Sequence, residues 1–222
     1  MLIDNDIIQG GLLLAQNILF LDPGHAFGLM NREAPFVQNN FTLVDQYDLT
    51  TIDLSSFGAI IVHDFADQIY LERHRDVIEN FLNEGKVIVF CGHLVREWLP
   101  GCAIFTPQTV SSYKDYEVLP VTKHPIFEGV DMDDLTYNKG VAGFFARGAH
   151  KPVPAGADVL LALPNYMPIT YIDRQTTKGT IFVHAGRDLF GLRMQKKSSD
   201  RISEQLLQWV KDEMEALKEG AL

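Results

Sequence analysis

Histidine, cysteine and aspartate recur where apolar runs end. ILFLDPGH closes on His25, AIIVHD reaches His63 and Asp64, VIVFCGH ends in Cys91, Gly92 and His93, and TIFVHAGRD passes through His184 to Arg187 and Asp188. Two chemistries follow from these residue types. A thiol ionised by a neighbouring imidazole attacks an amide or ester carbonyl, and a backbone N–H at the following turn stabilises the oxyanion. In that reading Cys91 is the nucleophile, His184 the base, Asp188 its orienter and Gly92 the N–H donor. Alternatively, imidazole and carboxylate groups ligate zinc, iron or nickel, and His25, His63, Asp64, His93 and His184 supply enough of them. No pair has the close spacing of a helical metal motif such as His-Glu-x-x-His.

The elements that must bring these residues together are buried strands. Runs of β-branched and large apolar residues bounded by Gly, Pro and Asp read as strands covered on both faces, and the sequence predicts them over 17–22, 41–46, 59–63, 86–91 and 179–184. A helix is predicted over 68–84, capped by Asp67 and stopped by Gly85, and another over 200–218, capped by Ser199 or Asp200 and ending near Gly220. A short helix is expected near Met30 to Phe36. From Pro100 to Lys178 the texture turns to short β-like runs, YEVLPV, AGFFARG, DVLLALP and PITYID, separated by turn residues. The expected fold is α/β, a flavodoxin-like doubly wound and mainly parallel sheet with additional β elaboration between 100 and 178. In such a sheet ligands bind at the carboxyl edge of the strands, so His25, His63, Cys91, His93 and His184 are expected around one crevice.

Size and composition fit one domain spanning 1–222, with no linker-like tract dividing it. A net charge of −10 and a pI near 5.1 point away from nucleic acid. The acidic start MLIDNDIIQGG lacks the basic region of an export signal, and polar residues interrupt the apolar stretch from Ile7 to Leu21, so no membrane span is expected. With two cysteines, Cys91 and Cys102, a disulfide framework is not expected, and the compartment read from these features is the cytoplasm. The glycines of Asp22–Gly28 lack nucleotide-loop spacing. Neither a cofactor nor a resident metal is assigned.

The helix-to-strand passage FLNEGKVIVFCGH, the turn HPIFEGV at 124–130, the late strand KGTIFVHAGRDLF and the closing helix together resemble the class I glutamine amidotransferase-like superfamily, and within it the ThuA-like branch. That resemblance implies the doubly wound fold, and it matches Cys91 and His184, 93 residues later, to the family's nucleophile and base. The chain departs from the family's Gly-x-Cys-x-Gly elbow at Val89, and His184-Ala185-Gly186-Arg187-Asp188 stands where the family has its His-Pro-Glu segment. The resemblance therefore implies an amidotransferase-like protein acting on small amides or esters rather than a glutaminase.

Two other functions stay open: a module that binds a small polar ligand or a partner, including a second copy of the chain, on the same rim, and a metal-dependent hydrolase built on the strand-end histidines. His25, His63, Gly92, His93 and Arg187 are the candidate ligand-binding residues. Arg96, Arg147, Arg187 and Arg193 are candidates for holding an anion. Phe144, Phe145, Tyr166 and Tyr171 are candidates for a pocket wall. His74 and His150 read as surface residues, and His124 before Pro125 as a turn former.

Overall fold

The computed structural model describes residues 17–26 and 32–220. Expectations for the amino-terminal residues, for 27–31 and for 221–222 lie outside the described part. Five strands form the parallel core: β1 (Ile18–Asp22), β2 (Thr42–Asp45), β3 (Ala59–Val62), β4 (Val87–Cys91) and β10 (Thr180–His184). β1 pairs with β2 and β3, β3 with β4, and β4 with β10, all parallel. The antiparallel strands β9 (Met167–Asp173), β8 (Asp158–Leu163) and the two-residue β6 (Leu119–Pro120) extend the sheet, giving the order 2-1-3-4-10-9-8-6. The parallel part thus has the flavodoxin-like 2-1-3-4-5 order, whose switch point lies between β1 and β3.

Because side chains alternate across a strand, the apolar runs supply two cores. On one face Phe20, Ile61, Val89, Cys91 and Phe182 meet the carboxy-terminal helix α5 (Ile202–Glu219) through Leu206, Val210 and Met214. On the other, Leu21, Ile60, Ile88 and Val183 meet α2 (Gln68–Arg73) and α3 (Arg75–Asn83) through Leu71, Ile78 and Phe81. Helices on both faces make the sheet doubly wound. Helix α1 (Pro35–Asn40) follows the first strand, and α4 (Met132–Thr136) lies within the elaboration.

The helix expected over 68–84 is two helices. His74 leaves the helical region at φ −118°, ψ 28°, and ends α2 before α3 begins. Asp67 does cap α2, accepting from the N–H groups of Ile69 and Tyr70. Gly85 and Gly220 sit at φ +76° and +65°, the left-handed region that stops a helix most cheaply with glycine. Neither Ser199 nor Asp200 caps α5. Ser199 is buried inside a 3-10 turn over Ser198–Arg201, and the Asp200 carboxylate accepts instead from the N–H groups of Gln195 and Lys196.

The elaboration does more than widen the sheet. A small ribbon, β5 (Phe105–Pro107) paired with β7 (Gly148–His150), lies over the exit of β4, with Phe105 stacked on His93 and His150 accepting from the Leu94 N–H. The segment AGFFARG is strand only at its last residue, Gly148, which opens β7. The rest is a turn that touches the core through one bridge, Ala146 to Gly186, and presses Phe145 onto His184 with ring centroids 4.5 Å apart. The exits of β4 and β10 are therefore covered.

Candidate functional site

Under that cover lie the two residues with the strongest sequence case. Cys91 and His184 are register partners on adjacent parallel strands. Cys91 is 1% exposed, and burial, followed by the field of Asp188, pushes its thiol well above the usual range. A nucleophile needs the opposite. Cys91 also has no left-handed backbone, so no strained elbow projects the thiol. The Gly92 N–H donates to the His184 carbonyl at 2.9 Å, which spends it inside the sheet rather than on an oxyanion.

His184 is fully buried, and burial brings its pKa down to about 3. Its Nδ1 shares a 2.8 Å hydrogen bond with Thr170 Oγ1 on β9. Gly186 allows this packing, since a Cβ there would collide with the Phe145 carbonyl and stand 2.6 Å from His184 Nε2. Asp188 does not orient His184. Its Oδ1 accepts from the Phe190 N–H, and its charge acts on Cys91, His63 and Arg193. Cys91, His184 and Asp188 are thus all buried, with Phe145 packed on His184.

The other exits are those of β1 and β3, where the strand order reverses. His25 follows β1 and His63 follows β3, with ring centroids 5.8 Å apart. His63 is 3% exposed, and its Nδ1 lies 3.4 Å from Asp64 Oδ1. Burial works to lower its pKa, yet the Asp64 hydrogen bond and the fields of Asp188 and Asp64 raise it above the ordinary value. His25 is lowered by desolvation and by His63, so the two imidazoles favour different charge states.

Phe65 stands beside them at φ +74° and is 66% exposed, its ring edge-on to His25 at 5.1 Å. A bulky residue in the left-handed region carries strain, and such strain collects where function requires it. The surrounding loop is held firmly. Buried Gln46 accepts from the Asp67 N–H and donates to the Asp67 carbonyl, and Tyr47 donates to the Asp67 carboxylate. Gln68 donates to the His93 carbonyl and accepts from the N–H groups of Val95 and Arg96. Gly92, at φ +150°, lets this loop approach, because a Cβ would stand 3.3 Å from the Asp64 Cα.

His93 is exposed on one face and stacked on Phe105 at 3.7 Å on the other. Desolvation lowers its pKa, with Asp64 and Arg147 acting in opposite senses. Arg187 and Arg147 are exposed, on segments joined by the Ala146–Gly186 bridge. Arg96 lies 3.9 Å from Glu72, and Arg193 packs over Phe36. Among the described residues, no three His, Cys, Asp or Glu side chains are grouped to hold a metal ion. Of the aromatic candidates, Phe145 and Tyr171 are core residues, Phe144 is partly exposed, and Tyr166 projects into solvent at a hairpin tip.

Sequence reasoning missed Phe65, Gln46 and Gln68, whose roles depend on backbone conformation and on contacts distant in sequence. It also misplaced His150, which is fully buried and accepts from the Leu94 N–H, its pKa brought down by burial to about 3. His124 does shape its turn, accepting from the Ile126 N–H. Two clefts of about 400 and 420 Å³ lie away from the histidines, one beside Trp98–Ile104 and Pro152, the other beside Phe36, Arg193 and Glu204. No helix among the described residues is long and apolar enough to cross a membrane.

No known family and no curated protein matches the chain. Among solved structures it is similar to the cytoplasmic protein STM3548 from Salmonella typhimurium, at 13% identity and a TM-score of 0.53 over 87% of this chain and 98% of that one. It is similar also to the cytoplasmic protein STM1381 from Salmonella typhimurium LT2, at 10% identity and a TM-score of 0.51 over the same shares. At these identities the likeness concerns the fold, and the fold these chains share is the α/β sheet described above.

Proposed function

We propose that this chain is a cytoplasmic, amidotransferase-like protein that binds a small polar ligand between the exits of β1 and β3, and that its fold is kept without thiol catalysis. The observation that carries this reading is Phe65. Its aromatic ring is held two-thirds in water by a left-handed backbone, at the switch point and against His25, His63 and Asp64. The order of the parallel strands supports the kinship with the amidotransferase-like superfamily, and the names of the two similar Salmonella proteins support the compartment. The buried, protonated state of Cys91 weighs against the Cys/His hydrolase.

The test is a thermal-shift screen of small carboxylates, amides and sugars against the wild type and the variants His63→Gln and Phe65→Gly. A compound at this site raises the wild-type Tm and leaves both variants unmoved. A compound that stabilises all three equally binds elsewhere, and a set of hits made only of such compounds overturns the proposal.

A further inference from the structure

Away from the histidines, the cleft of about 400 Å³ beside Trp98–Ile104 is large enough for a small molecule, and its lining is charged on one side and apolar on the other. Two carboxylates line it, Glu79 on α3 and Glu97 in the loop after β4. Both residues are exposed, and among the described residues neither lies within ion-pair distance of a cation. Arg75, one turn before Glu79 on the same helix, is the single cation of the lining, so the carboxylates outnumber it.

A third carboxylate adds its field from below the cleft. Asp173, at the end of β9, is 1% exposed, and its Oδ1 accepts from the N–H groups of Gln175 and Thr176. Its Oδ2 is buried with no hydrogen-bond partner. That oxygen faces Gly101 in the cleft wall, where a Cβ would stand 3.2 Å from it. No side chain of Gly101 separates the buried carboxylate from the cleft. A buried carboxylate oxygen without a donor is costly, and a positive charge held in the adjoining cleft offsets part of that cost.

The apolar side of the lining is made by Ile104, 41% exposed, with Pro100 and Pro152. An anion would meet three carboxylates against one guanidinium. A neutral alcohol would leave the carboxylates uncompensated.

We propose that this cleft, separate from the ligand site at β1 and β3, takes a small aliphatic ammonium compound. Its cationic head is met by Glu79 and Glu97 within the field of Asp173, and its hydrocarbon stem lies against Ile104, Pro100 and Pro152.

Trp98 lines the cleft, whereas Trp209, the chain's other tryptophan, belongs to the core on the opposite face of the sheet. Their two indole N–H signals therefore give the site and its control in one NMR spectrum of the full-length protein. n-Butylammonium, n-butanol and butyrate are the probes, at neutral pH. n-Butylammonium is expected to move the Trp98 signal saturably and leave Trp209 in place, with an apparent affinity at least about tenfold above those of butanol and butyrate. Glu79→Gln and Glu97→Gln, at exposed positions that leave the fold intact, are each expected to weaken it several-fold. Asp173→Asn keeps an acceptor for Gln175 and Thr176 and is expected to weaken it by a smaller factor.

The proposal is overturned if butanol or butyrate moves Trp98 as readily as n-butylammonium, or if n-butylammonium leaves Trp98 unmoved or moves Trp209 equally. It is overturned also if neither glutamate variant weakens binding, or if folded Asp173→Asn binds as tightly as the wild type. None of these outcomes bears on His63 and Phe65, whose variants test the first site by themselves.

Discussion

Cys91 shows how one residue's type and its surroundings separate. At the end of an apolar strand, 93 residues before a histidine, it has the position of a nucleophile. In place it is a core thiol, buried in the same cluster as Val89 and Phe145. Native protein treated with iodoacetamide at neutral pH is therefore expected to stay unlabelled at Cys91, while denatured protein labels at both Cys91 and Cys102. Rapid native labelling of Cys91, read by mass spectrometry of the tryptic peptide, would disprove the buried assignment. Cys91→Ala should cost on the order of 1 kcal/mol in a urea titration, the scale of a small cavity in a packed core. Gly186→Ala should cost more, because its Cβ meets the Phe145 carbonyl and the His184 ring, and no flexible side-chain end can yield there. Residues at strand ends were legible as a set because strand direction places them at one edge. Which of them stayed open to solvent was not, since that depends on Phe145, 54 residues beyond Cys91.

At the scale of elements, every parallel strand lies within one residue of its expected ends, because each apolar run is buried on both faces and nothing local competes with it. The helices were legible through their stops and through the Asp67 cap, whereas the break at His74 has no glycine or proline to announce it. The 100–178 stretch was legible as β-rich and no further: AGFFARG has strand composition but spends its backbone on one bridge and on tight turns. His150 follows the same pattern, its neighbours Lys151 and Pro152 suggesting a surface turn while β7 carries it inward. The caps and clamps that tertiary contacts add can be weighed. Asp67→Ala removes two hydrogen bonds at the start of α2 and one from Tyr47, and should destabilise by about 1 kcal/mol. Glu213→Ala should cost about 3 kcal/mol by urea denaturation, because this 5%-exposed carboxylate accepts from Arg174 at 2.6 and 2.8 Å and from Thr180 Oγ1 at 2.7 Å, fastening α5 to β9 and β10. A loss no larger for Glu213→Ala than for Asp67→Ala would show that the pair is a surface bridge in effect.

For the whole molecule, the buried histidines set how stability follows pH. His150 and His184 are held neutral by burial, each with a pKa of about 3 in the folded chain against about 6.5 when unfolded. Below pH 6.5 the unfolded chain takes up protons at both positions and the folded chain does not, so stability falls as pH falls, with a limiting slope of about 1.4 kcal/mol per pH unit for each group. His63 acts in the other direction. Its folded pKa is raised, so its contribution is complete below the unfolded value and is lost as pH rises through the folded one. Asp188, raised by its own burial, likewise favours the folded chain on the acid side and offsets part of the loss. Taken alone, His150 and His184 lower stability by about 3 kcal/mol between pH 6.5 and 5, a window above the ordinary carboxylates; the lowered His25, His93 and His124 act in the same sense, and the raised His63 and Asp188 against it. Urea midpoints measured across that window should show it. His184→Gln, which keeps a polar partner for Thr170, should make the decline shallower by about 1.6 kcal/mol over that window even if the variant is less stable throughout. A midpoint that follows pH identically in the wild type and in His184→Gln would mean that His184 gains its proton in the folded state. The cover over the exit of β10 would then admit solvent.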